Sequence, residues 1–207
     1  SMLWGQNYSL SFDGEDDYVE LSSQPINGIQ NSFSIMSFFK VSDLSTQDGT
    51  IYGHRGYYKD VYLKIYNGEL LFSVSTSSIN SFGLTAVVDE NEWIHVVATN
   101  DGETSRLYLN GQLIDEEINN IGDIDWNQGS NGYYIGGGDP DWISTFDGFI
   151  SEVSIWTMDL NQQQILSYMA TSPTGNESGL AGYWNFNAGE GETLYDHSGN
   201  ANHGTIS

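Results

Sequence analysis

A chain of 207 residues with 28 acids against five bases, formal net charge −23, is a poor partner for nucleic acid or an anionic membrane surface, because both are met by Lys and Arg. The absence of cysteine excludes disulfides and thiolate metal sites. No apolar run approaches the ~20 residues of a membrane span. A composition 38% hydrophobic and 14% aromatic supports a buried core, read here as one domain over residues 1–207. A cation or a saline medium is the natural counter-charge.

Alternation with a period of two dominates the chain and predicts strands. In chain order they are 8–12, 17–21, 32–41, 49–53, 61–66, 69–76, 83–87, 93–99, 105–110, 113–116, 132–136, 148–156, 179–186 and 203–206. Asp13-Gly14, Asn67-Gly68, Asp101-Gly102, Asn110-Gly111 and Asp147-Gly148 punctuate them, and such pairs tolerate the positive φ of tight hairpins. In WIHVVAT both faces carry bulk, as in a central strand, and His95 reads as a packed core histidine. One helix is expected near 160–169, with Asn161 as N-cap and Leu160, Ile165 and Met169 on one face. Residues 171–178 (TSPTGNES) read as a polar linker back to the sheet. Many short strands with regular turns specify an all-β fold, a two-sheet antiparallel sandwich of jelly-roll type. No signal peptide is evident. The opening Ser-Met is compatible with a cloning remnant, which leaves room for a signal or further domains outside this sequence.

The order SFDGEDDYVEL, FSIMSFFKV, NEWIHVVATNDGETSRLYLNGQLI, YYIGGGDPDW, FDGFISEVSIWTMDLNQQQI and YWNFNAGEGETLYDHSGNANHGTI resembles the laminin-G-like and pentraxin-like, concanavalin-A-type jelly rolls of secreted bacterial multidomain proteins. The resemblance covers nearly the whole chain. It implies two antiparallel sheets packed face to face, an extracellular or cell-surface setting, and often a bound calcium. It implies binding of glycans or proteins more often than catalysis, although glycosidases and lyases use the same sandwich. Fold alone does not fix function. Trp156, Trp184 and Phe186 lie on regular strands and read as core.

The acid-rich stretch FDGEDDYVEL bears on the enzyme question. Glu15, Asp17 and Glu20 trace the outline of a glycosidase acid pair. Glu15 and Asp16 fall in the turn, however, and strand alternation points Asp17 and Glu20 to opposite faces, so they cannot flank one bond. The four histidines form no metal-ligand motif. Calcium chemistry fits better, since that ion takes six to eight oxygens from carboxylates, carbonyls and water. The expected ligands are Asp13 and Asp196, with Asp17 and Asn200, a cation bridging FDGEDD to the DHSGNAN loop. The alternative is that both loops are Asx-turns capping their own backbone. A rival cation loop is GGGDPDWISTFDG with Asp139, Asp141 and Asp147.

Loops carry function on rigid β scaffolds. GHRGYYKD gathers Arg55, Lys59, His54, Tyr57 and Tyr58, a set suited to a sugar acid or sulfate. Trp142 and Trp126 offer indoles that could stack on a sugar or cover the sandwich edge. The reading is a non-catalytic carbohydrate-binding or adhesion module, calcium-assisted, within a larger secreted protein. Its partner would be a glycan, neutral or anionic, or a cell-surface protein. The alternatives are a polysaccharide hydrolase or lyase working near Tyr52, His54, Arg55, Tyr57 and Tyr62, and a structural spacer domain.

Overall fold

The computed structural model describes residues 8–23, 25, 26, 28–45, 48–56, 59–74, 82–118, 124, 125, 130–137, 145–188 and 190–207. Within its strands, the side chains of residues 29, 54–56, 59, 60, 82, 125, 130 and 131 lie outside that description.

The strands are β1 (Leu10–Asp13), β2 (Val19–Leu21), β3 (Ile29–Gln30), β4 (Phe33–Val41), β5 (Asp48–Gly56), β6 (Lys59–Tyr66), β7 (Glu69–Val74), β8 (Phe82–Ala86), β9 (Ile94–Asn100), β10 (Thr104–Leu109), β11 (Gln112–Ile118), β12 (Ile124–Asp125), β13 (Ser130–Ile135), β14 (Asp147–Trp156), β15 (Leu180–Trp184), β16 (Thr193–Leu194) and β17 (Gly204–Ile206). The first sheet runs β1-β14-β4-β9-β10-β11, with β15 also on β14. The second runs β16-β17-β2-β13-β5-β6-β7-β8. Every pairing is antiparallel, so the expected two-sheet sandwich is what forms. The sequence reading omitted β16 and the small β3–β12 pair. Two-residue strands carry no periodicity to read.

The sheets close on one apolar core. Phe33 and Phe39 from β4 meet Val61, Phe72 and Ile135 of the second sheet there. The Phe33 and Phe72 rings meet edge-on across it, with centroids 6.2 Å apart. Alternation decides which residues enter: Ile35 faces this core, while Met36 belongs to a second apolar cluster.

That second cluster lies on the outer face of the first sheet. Met36, Val97, Tyr108, Trp156 and Tyr183 are roofed by Leu160 and Ile165. The roof is helix α1 (Gln162–Ala170) and its lead-in. Asn161 caps it: its Oδ1 accepts the N–H groups of Gln163 and Gln164, and the Gln164 side chain accepts the Asn161 N–H. Tyr168 lays its ring on Trp156, centroids 4.8 Å apart. This cover explains why β4 and β14 are buried at almost every position. At the far edge of the first sheet, β11 pairs with β10 and is exposed at every residue except Asp115, which is partly buried.

Candidate functional site

The outer face of the second sheet is different. On β6, Val61, Leu63 and Ile65 are fully buried, so Tyr62, Lys64 and Tyr66 share the outward side. Tyr66 is 44% exposed. The Lys64 ammonium sits 5.2 Å from the Tyr62 ring centroid and 4.8 Å from that of Tyr66. The carboxylate of Asp48, at the start of β5, holds the same nitrogen at 3.1 Å. The cation therefore ties the two rings to one place. Beneath Tyr62 lies Gly53, its register partner on β5. A Cβ there would come within 2.9 Å of the ring, so only glycine lets the tyrosine rest against the strand. Farther along, Tyr18 and Tyr134 make an edge contact with centroids 6.0 Å apart. Among the described residues, no helix lies over this face.

The sequence reading placed a basic loop at residues 53–60. The structure extends β5 and β6 through most of it, leaving only positions 57 and 58 between the two strands. Arg55 stands opposite Asp60, and Lys59 opposite Gly56. These positions lie on hairpin strands because the pairing continues to the tip, which a motif of mixed polar residues does not reveal. The side chains of Arg55 and Lys59 lie outside the described residues, as do Tyr57, Tyr58, Trp126, Asp139, Asp141 and Trp142 altogether. Lys64 and Tyr66 were not singled out, although their spacing with Tyr62 in YLKIY carried the signal.

The acidic stretch forms a compact turn after β1. Asp13 Oδ1 accepts the N–H of Glu15, an Asx-turn, and Asp17 Oδ2 accepts the N–H of Asp13. One carboxylate oxygen from each of Asp13, Asp16 and Asp17 lies within 4.8 Å of the others. Two oxygens on opposite sides of a calcium ion are about 5 Å apart, so this donor set fits that cation in type and span. Asp13 pairs with Asp147 across the β1–β14 ladder, and the hydroxyl of Thr145 donates to the Gly14 carbonyl at 2.6 Å. The two rival acidic loops thus meet at one end of the sandwich. Glu15 and Glu20 are not in the acid group.

Asp196 does not join Asp13. It is buried, and both its oxygens are already used: Oδ1 accepts the N–H groups of Tyr183 and Ser198, while Oδ2 accepts the Ser198 hydroxyl and the Asn202 N–H. The amide of Asn200 donates to the carbonyls of Leu180 and Ala181 and to the Ser198 hydroxyl. The DHSGNAN loop is therefore a network that fastens itself to β15, not a partner of the FDGEDD turn. The chain ends are joined by backbone instead: β17 pairs with β2, and Tyr18 and Ser207 exchange N–H···O=C bonds.

His95 lies on the outer face of the first sheet, ring to ring with Phe38 at 4.5 Å, and neither ring nitrogen has a partner. Burial alone depresses its pKa from 6.5 to about 3, so it is neutral. Trp156, Trp184 and Phe186 are core residues, as read, but Phe186 lies beyond the end of β15, at φ +56°, and not on a strand.

A laminin-G-type model of the concanavalin A-like lectin/glucanases superfamily matches residues 13–166. The chain belongs to that superfamily. A search of curated proteins gives no match. Among solved structures, a Bacteroides ovatus protein proposed to bind carbohydrate is similar, with TM-score 0.79 and 23% identity over 96% of this chain and 57% of that one. The chain thus spans less than two thirds of that protein. Domain 4 of AbnA, an extracellular arabinanase from Geobacillus stearothermophilus solved with arabinotriose, gives TM-score 0.63 and 18% identity over 79% of this chain and 76% of that one. A heptameric SAP-like pentraxin from Limulus polyphemus gives TM-score 0.62 and 14% identity over 81% and 83%. At these identities the superfamily neighbours speak to the fold. No helix of the described residues is long and apolar enough to cross a membrane.

Proposed function

We propose that the chain is a non-catalytic carbohydrate-binding module of a larger secreted protein. The observation that carries this reading is the Tyr62–Lys64–Tyr66 ladder on the outer face of the second sheet, over which no helix lies among the described residues. Both rings are held by one cation and the Tyr62 ring rests on Gly53, so the pair is ordered before any ligand arrives. Tyrosine offers an apolar ring face to the C–H face of a sugar and a hydroxyl to its oxygens. The carbohydrate-binding descriptions of the Bacteroides protein and the arabinanase domain agree with it. A neutral glycan suits a chain of net charge −23 better than a polyanion, which its field repels.

Calcium belongs to the same proposal. Asp13, Asp16 and Asp17 would hold the ion, and it would fix the turn that abuts β14 at Asp147. Binding to the folded state alone must raise the melting temperature. Thermal unfolding with calcium, with a chelator, and with magnesium at equal ionic strength tests this. The expected result is a calcium-specific rise, lost in the double change Asp16→Asn with Asp17→Asn. Asp196→Ala should lower the melting temperature equally with and without calcium, because it empties a hydrogen-bond hub. No calcium-specific rise would remove the ion from the proposal and leave the module reading to its own test. That test is calorimetric titration with a panel of oligosaccharides. Tyr62→Ala with Tyr66→Ala should weaken any binding found by tenfold or more, about 1.4 kcal/mol or above. Unchanged affinity would displace the site from this face.

A further inference from the structure

We infer that a second cleft, at the rim of the sandwich between the loop leading into β9 and the β10–β11 turn, binds one neutral sugar residue of a glycan. This inference rests on the carbohydrate-binding reading and gives it a specificity site.

The cleft is about 410 Å³ and is formed by Val87, Asp89, Glu92, Trp93, Leu109 and Asn110 among others. Its volume is at the lower end of small-ligand sites. The loop behind it is pinned. Val88 and Ile94 are buried at its two ends. The Asn91 N–H donates to the Val41 carbonyl at 2.8 Å, and Glu90 Oε1 accepts the N–H of Leu44 at 2.9 Å. Asn91 sits at φ +62°, a left-handed conformation that Asn tolerates better than most residues. Asp89, Glu92 and Trp93, between these anchors, line the cleft together with Val87, Val88 and Ile94.

The opposite wall is equally fixed. Asn110 and Gly111, at φ +48° and +76°, form the two-residue turn between Leu109 and Gln112. Asn110 Oδ1 accepts the N–H of His95 at 3.0 Å, so its amide NH₂ remains as a donor. Among the described residues, Asp89, Glu92, that NH₂ and the Trp93 indole N–H have no hydrogen-bond or ion-pair partner. The Lys40 ammonium lies 5.7 Å from the Trp93 ring centroid and 4.5 Å from that of Phe149, which holds the indole's surroundings in place.

The lining therefore combines an indole and four aliphatic residues with two free carboxylates and the N–H groups of Asn110 and Trp93. This is the complement of a pyranose, whose C–H face is apolar and whose hydroxyls both donate and accept. Adjacent hydroxyls can share one carboxylate, an ionised acceptor that makes the stronger hydrogen bonds. A uronate or sulfated sugar would bring its charge to Asp89 and Glu92 and is disfavoured there. Trp93 was read from sequence as part of a central strand. It lies one residue before β9, half-buried, where a side chain can both pack and bind.

The experiment uses the whole chain labelled with 5-fluorotryptophan, the Trp93 fluorine resonance being assigned with Trp93→Phe. Neutral oligomers of glucose, xylose, mannose and arabinose are titrated, with oligogalacturonate as the charged control. The expected result is that a neutral oligomer shifts the Trp93 resonance and that Trp93→Ala weakens its binding about tenfold or more. The double change Asp89→Asn with Glu92→Gln, at exposed positions, should weaken it at unchanged melting temperature. Binding that survives both changes but is lost in Tyr62→Ala with Tyr66→Ala overturns this cleft and keeps the module reading. Preference for oligogalacturonate at Trp93 overturns the neutral class. Binding of none of these sugars overturns the inference together with the module reading on which it rests.

Discussion

The two outer faces of the sandwich obey the same strand alternation and reach opposite ends. On the first sheet, Met36, Val97 and Trp156 point outward and are buried, because helix α1 and its lead-in lie on them. On the second, Tyr62, Lys64 and Tyr66 point outward and remain partly or fully reachable, with a cation between the rings. An outward apolar side chain is thus a core residue on one face and a ligand candidate on the other. What separates them is the cover, and the cover is supplied by a segment distant in sequence.

The comparison breaks most visibly at Trp156. Trp156→Ala removes a fully buried indole from beneath Tyr168 and should cost about 3–5 kcal/mol in denaturant unfolding. Tyr66→Ala, equally aromatic but on the open face, should cost under about 1 kcal/mol in the same measurement. Comparable losses at both positions would mean that the open face is covered as well.

A smaller effect comes from the covered face as pH falls. His95 titrates near 6.5 when unfolded and near 3 when folded. The folded pKa is depressed, so the unfolded chain takes up the proton first. The stability of the neutral histidine is complete above pH 6.5 and declines towards pH 3, by about 1.4 kcal/mol per pH unit within that window. Comparing the chain with His95→Phe between pH 6.5 and 5, above most carboxylate titration, isolates the effect. Equal slopes for the two would show that the histidine is hydrated and not sealed beneath the helix side.

Much of this contrast was legible in sequence, and the limits have physical causes. FSIMSFFKV and WIHVVAT show bulk at successive positions, which only a strand covered on both faces requires. Asn161 announces the helix start as its N-cap, while its capping-box partner Gln164 emerges only in the structure. The sites depend on distant partners instead. The turn at Asp13 faces Asp147 because β1 pairs with β14, and the loop around Trp93 is pinned by a carbonyl of β4. Asp196 has the composition of a cation ligand, yet its oxygens serve N–H groups of β15 and of its own loop. Composition names which groups can bind a metal. Topology decides whether backbone donors reach them first.

The last strand of the first sheet has a colloidal consequence. Along β11, Leu113, Ile114 and Ile118 are exposed beside Asp115, Glu116 and Glu117, and the strand pairs on one side with β10. Open backbone groups flanked by aliphatic side chains are a template for growth into stacked assemblies. Three consecutive carboxylates on a chain of net charge −23 make each such edge repel its own kind. The repulsion that keeps such edges apart should therefore weaken as acid removes the charge or salt screens it, a loss that light scattering against pH and salt would read.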